Sequence, residues 1–107
     1  MGKRPMMNLT KVVTEQRRLA ILRTLAELAF NLNEDVLLQA LDEMSVASAT
    51  KDLVRSDLTY LQEHGLIRIE MLPRSAGELW IAHLTIAGKD VANGRTHLGV
   101  AQRQPDC

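Results

Sequence analysis

The 107-residue chain balances thirteen basic against thirteen acidic side chains, so it lacks the positive excess that marks most nucleic-acid binders. Its length suits one domain rather than separate binding and catalytic domains. Hydrophobic residues make up 46% of the chain, yet Trp, Tyr and Phe occur once each, which points to an aliphatic core and away from aromatic base-stacking platforms.

With a single cysteine, Cys107, the chain can form no intramolecular disulfide and no thiolate cluster for a metal. No apolar run approaches the roughly 20 residues that span a bilayer, and no hydrophobic block follows the basic start GKRP. Met6 stands where a myristoylation signal wants Ser or Thr. A cytoplasmic protein without membrane contact or cofactor is therefore expected. Charge is unevenly spread: residues 1–24 carry Lys3, Arg4, Lys11, Arg17, Arg18 and Arg23 against Glu15, a balance of +5, whereas residues 25–44 carry only Glu27, Glu34, Asp35, Asp42 and Glu43, a balance of −5. The basic end or face can attract phosphate, or the charges can simply form a solvated surface.

Residues 1–9 contain Pro5 and no sustained periodicity, so they read as a flexible basic arm. A first helix is expected from Thr10 or Thr14 to about Phe30. Leu19, Leu22, Leu25, Ala26 and Ala29 face the core, while Arg17, Thr24 and Glu27 lie away from its centre. Asn31-Leu32-Asn33 reads as a polar link whose last residue caps a second helix; Glu34 and Asp35 suit the positive end of that helix's dipole. Val36, Leu37, Ala40, Leu41 and Met44 supply its apolar face. The small, polar SVASA segment turns the chain into a third helix within Ser48–Leu66, capped by Thr50 or Ser48 and ended by Gly65 in the left-handed conformation. Val54, Leu58 and Leu61 make its buried stripe, and Asp52, Arg55, Ser56, Thr59, Gln62 and Glu63 fall outside.

After Gly65 the period changes to two. Ile67, Ile69 and Met71 alternate with Arg68 and Glu70, Pro73 to Gly77 form a turn, and Glu78 to Leu84 return as a second strand. Thr85 caps a short last helix with Ile86 and Val91 inward and Gly94 at its end. Residues 95–107 lose periodicity and read as an extended or disordered tail.

Two motifs carry a resemblance. Val54-Arg55-Ser56-Asp57-Leu58, with Leu61, Gly65 and Leu66, is similar to the pattern V-R-x-D-L-x-x-L-x-x-x-G-L of bacterial regulators of the winged helix-turn-helix superfamily. Leu84-Thr85-Ile86-Ala87-Gly88 resembles the L-T-x-x-G signature that follows the wing in many of them. The tail from Gly94 to Val100 is similar to that of small winged-helix proteins of Mu-like prophages. The resemblance implies a mainly α fold over residues 10–94, with three helices, a two-stranded wing and a short C-terminal helix. It lacks the paired cysteines of metal-sensing relatives.

In the winged-helix docking mode the third helix enters the major groove. Lys51, Arg55, Ser56, Thr59 and Gln62 are then the candidate DNA contacts, Arg55 reading guanine bidentately, with Arg74 at the hairpin tip reaching a phosphate or the minor groove. Against this, the Ser48–Leu66 segment is net −1. Asp57, at the edge of the buried stripe, needs a partner, and Arg18 is the obvious one. His64, His83 and His97 share no register suited to a metal; His64 beside Gly65 complements the helix end. Trp80 reads as a lid on the core with its indole N–H bonded, or as a dimer contact. No arrangement of catalytic groups stands out, so no enzyme is expected. Two functions follow: a dimeric DNA-binding transcriptional regulator of phage or bacterial origin, or a winged-helix interaction module in phage assembly or DNA packaging that binds a protein partner and not DNA.

Overall fold

A computed structural model of the chain describes residues 6–44 and 49–103. The elements run α1 (Met6–Leu28), β1 (Asn31–Asn33), α2 (Glu34–Met44), α3 (Lys51–Glu63), β2 (Ile67–Arg74), β3 (Gly77–Leu84) and α4 (Ile86–Ala92). The fold is mixed α/β, with helices packed on an antiparallel sheet of order β1-β3-β2. The expected two-stranded hairpin is present, from Ile67 opposite Leu84 to Arg74 opposite Gly77. It gains a third strand because Asn31-Leu32-Asn33, expected as a link, pairs with His83, Ala82 and Ile81. Phe30 makes this possible: its φ of 66° ends α1, its N–H donates to Leu25 O at 2.8 Å, and its carbonyl accepts from Leu84 N at 2.7 Å.

The core is aliphatic. Ile21, Leu22, Leu25, Leu37, Leu41, Val54, Leu58 and Leu61 are fully buried, and Leu66, Ile67, Ala82 and Val91 nearly so. Helix ends follow their capping residues: Asn33 Oδ1 accepts from Val36 N at 2.9 Å, Thr50 Oγ1 from Leu53 N at 3.2 Å and Thr85 Oγ1 from Gly88 N at 3.0 Å, each satisfying an amide the helix cannot pair itself. Gly65 takes a φ of 73° at the end of α3, where a Cβ would be strained.

Several expectations change. α1 begins at Met6, inside the stretch expected as an arm; residues 1–5 lie outside the described residues, as do Ser48 and most of the SVASA turn. Arg17 and Thr24, expected off the core, are buried. Arg17 has a buried carboxylate to meet, and the Thr24 hydroxyl donates to Ala20 O at 2.7 Å, so neither loses its hydrogen bonding. Conversely Val36 and Met44 are exposed and Ile86 is 83% exposed, since α2 and α4 bury Leu37, Leu41 and Val91 instead; Ala29 falls past the end of α1 and is exposed.

The tail expected as extended or disordered is docked as far as the description reaches. His97 bridges to Val100, the Val100 side chain is buried, and Ala101 N donates to Glu15 O at 3.1 Å. Residues 104–107, including Cys107, lie outside the described residues.

Candidate nucleic-acid interface

The third helix is anchored from two sides by buried carboxylates. Asp57 on α3 receives Arg17 Nε and, at 3.3 Å, Arg17 Nη2. Arg18 Nε donates to it at 3.1 Å, so the Arg18 pairing expected from sequence is joined by a second guanidinium. Arg18 also donates to Gly99 O at 3.0 Å and lies 3.7 Å from the centre of the Tyr60 ring. Tyr60 stacks on His64 at 4.2 Å, His64 meets His97 edge-on at 5.1 Å, and the Tyr60 hydroxyl donates to Leu98 O at 2.8 Å. The His64 ring thus lies between Tyr60 of α3 and His97 of the tail. Among the described residues no group of three or more acidic, His or Cys side chains could hold a metal.

On the other side, Glu34 in the first turn of α2 is buried and accepts from Arg55 Nε at 2.6 Å and Arg55 Nη2 at 2.8 Å. Its second oxygen also takes the Trp80 amide at 2.9 Å, and Lys51 stands 4.0 Å away. The Arg55 bond holds the Glu34 carboxyl below its ordinary 4.5; burial opposes this, and the Trp80 amide adds to it. Arg55 further donates to Glu78 O at 2.8 Å and lies over the Trp80 ring at 4.5 Å. Three elements therefore meet at one guanidinium: α2, α3 and the hairpin. The Trp80 indole N–H, expected to find a partner, is buried without a hydrogen bond among the described residues.

This geometry redistributes the six residues expected to contact DNA. Arg55 is half-buried, with Nε and Nη2 bonded to Glu34 and Nη2 also to Glu78 O. Gln62 is likewise occupied, its side-chain oxygen accepting from Ile69 N at 2.8 Å and so closing part of the free edge of β2. The Thr59 hydroxyl donates to Arg55 O, one turn back on its own helix, at 2.9 Å. Lys51, Ser56 and Arg74 are exposed, but Lys51 and Ser56 lie on α3 while Arg74 ends the hairpin strand β2. Arg68, exposed on β2, is a further cation that the strand pattern showed without marking it as a contact.

Acidic groups stand at both ends of α3. Asp52 and Glu63 are exposed on it, and a groove of about 410 Å³ beside its start is lined by Asp35, Leu38, Gln39, Asp42 and Ala49. Sequence reasoning did not pick out this groove, although the −5 balance of residues 25–44 was its signal. The groove suits a cationic, partly apolar segment better than phosphate.

Among the described residues no helix is long and apolar enough to cross a membrane. No protein-family model matches the chain, and no solved structure does. The sequence is 36% identical over 66 residues to an uncharacterized protein of Haemophilus influenzae, covering 62% of this chain and 64% of that one. It is 35% identical over 95 residues to the protein of Escherichia phage Mu described as "Uncharacterized protein gp26", covering 88% of this chain and 94% of the phage protein. With the match spanning nearly the whole of both, the chain belongs to the family of the phage Mu protein gp26.

Proposed function

We propose that this chain is a winged-helix protein-docking module of phage origin, serving assembly or DNA packaging without a catalytic step, and that it receives a cationic amphipathic segment of a partner protein against α2, beside the start of α3. The order of helices, β1 and hairpin supports the winged-helix assignment. The observation that carries the docking role is Arg55. The one arginine on the outer side of α3 is spent on Glu34 and Glu78 O, and the exposed charges around it are mainly acidic.

The alternative, a DNA-binding regulator, is favoured by Lys51, Ser56, Arg68 and Arg74, which are all exposed on α3 and β2. Nuclear magnetic resonance titration of the full chain with a Lys/Leu amphipathic helix and with a mixed-sequence DNA duplex separates the two. The expected result is saturable amide shifts around Asp35, Gln39, Asp42 and Ala49 with the peptide. Asp35→Asn with Asp42→Asn should weaken peptide binding about two- to fivefold. Saturable duplex binding that falls steeply with salt and is lost in Arg68→Ala/Arg74→Ala would overturn the docking role in favour of DNA.

A further inference from the structure

We infer that the acidic groove on α2 takes the outer face of the β2–β3 hairpin of a second copy of this chain, which rests on the docking role proposed above and names its partner. The hairpin has two faces. On the inner one Ile69, Trp80 and Leu84 pack against the core. Arg68, Glu70, Leu72 and Arg74 alternate with the inward residues of β2 and share the outer face with Leu79 and Ile81 of β3. Leu72 is exposed, and Leu79 and Ile81 are half-buried without joining the core. Two cations flank this apolar strip: Arg68 and Arg74 are exposed, and the acid between them, Glu70, is engaged by His83 at 2.8 Å.

The face, not the edge, is what the hairpin offers. The Ile69 amide at the free edge of β2 is taken by Gln62 Oε1 at 2.8 Å, and Pro73, which points the same way four residues on, has no N–H to give. An added strand would find neither donor. A strip of leucines between two cations also suits an apolar floor between two acids better than a phosphate backbone.

The groove is such a surface. Asp35 and Asp42 line it together with Leu38, Gln39 and Ala49. Among the described residues neither aspartate has an ion pair, and neither has Arg68 or Arg74. The spacings agree as well. Leu38 and Asp42 are one turn apart, about 6 Å at 1.5 Å per residue, and Leu72 and Arg74 are about 7 Å apart on one face of the strand. Leu72, with Leu79 opposite it, can thus rest on Leu38 while Arg74 meets Asp42. Arg68 then lies beyond Leu72 on the side of Asp35, so the second cation faces the second acid at longer range. Each copy carries both surfaces, so the contact is exchanged within a pair or passed from copy to copy until a ring closes.

Sedimentation equilibrium of the full chain at micromolar concentrations tests the inference. The wild type should be larger than a monomer, and its association should weaken as salt rises. Arg74→Glu and, separately, Asp42→Lys should each weaken association about tenfold, with unchanged thermal melts because both side chains are exposed. An equimolar mixture of the two variants should recover it, since each reversed charge then meets its reversed counterpart and each unaltered one its own. A monomeric wild type, association indifferent to both substitutions, or a mixture no more associated than its components would each overturn the inference. In that event a Lys/Leu peptide that still shifts the Asp35 and Gln39 amides leaves the docking role standing with another partner, and one that does not removes both.

Discussion

Asp57 and Glu34 are both buried carboxylates held by arginine, and they serve different ends. Asp57 lies between α1 and α3 under two guanidiniums, with Arg17 itself buried and the tail laid over Arg18 through Gly99. Glu34 lies at the joint of α2, α3 and the hairpin; its arginine is partly exposed and a lysine approaches from the solvent side. A sealed pair holds two helices together, whereas one open on a side also governs what the surface presents. Here it draws Arg55 toward Glu34 and the Glu78 carbonyl at the exposed side of α3.

Removing each carboxylate should separate these roles. Asp57→Ala leaves Arg17 buried without a counter-charge and should cost about 3–5 kcal/mol, seen as a large drop in the urea midpoint. Glu34→Gln keeps the shape and loses the charge-assisted bonds; roughly 1.5–3 kcal/mol is expected, and Arg55 should become free to move. Duplex affinity that rises in Glu34→Gln but not in Asp57→Ala would show that Arg55 is the restrained group.

The pH dependence of stability sharpens the contrast. Because the folded Glu34 carboxyl titrates below its ordinary 4.5, the unfolded chain binds more protons between the two values, so stability there rises with pH. The contribution is complete above 4.5 and is lost as pH falls through the lower, folded value. Urea unfolding from about pH 6 downward should show this acid slope in the wild type and a shallower one in Glu34→Gln. The smallest effect is expected for Tyr60→Phe, which removes the bond to Leu98 O. It should cost about 1 kcal/mol and speed hydrogen exchange at Val100 and Ala101 while leaving the α2 joint unchanged.

Much of the fold was legible because it is written in local rules. Thr50, Thr85 and Asn33 cap as their chemistry requires, and the switch to alternation after Gly65 marks the hairpin. β1 was not legible, since three residues are too few to show a period and Phe30 gives no hint of a left-handed turn. Helical spacing alone also misjudged Arg17, Val36 and Met44: a stripe predicts which residues share a face, but not how far the neighbouring element covers it. The partners of the candidate site residues were hidden in a related way. Arg55 sits outside on the helical wheel, and only the fold brings Glu34, twenty-one residues earlier, into reach. The tail was invisible because its anchors, Arg18 and Tyr60, belong to other elements.

Gly88 bears on how further members of the family can be recognised. A methyl group built there would stand 2.0 Å from the carbonyl oxygen of Leu66, and the neighbouring Thr85 hydroxyl already donates to Gly65 O at 2.7 Å. The last helix is thereby clasped backbone-to-backbone against the exit from α3, with no slack for even an alanine. A homologue with a larger residue at this point must have shifted that clasp, which makes a single column of an alignment a gauge of whether two chains close up in the same way.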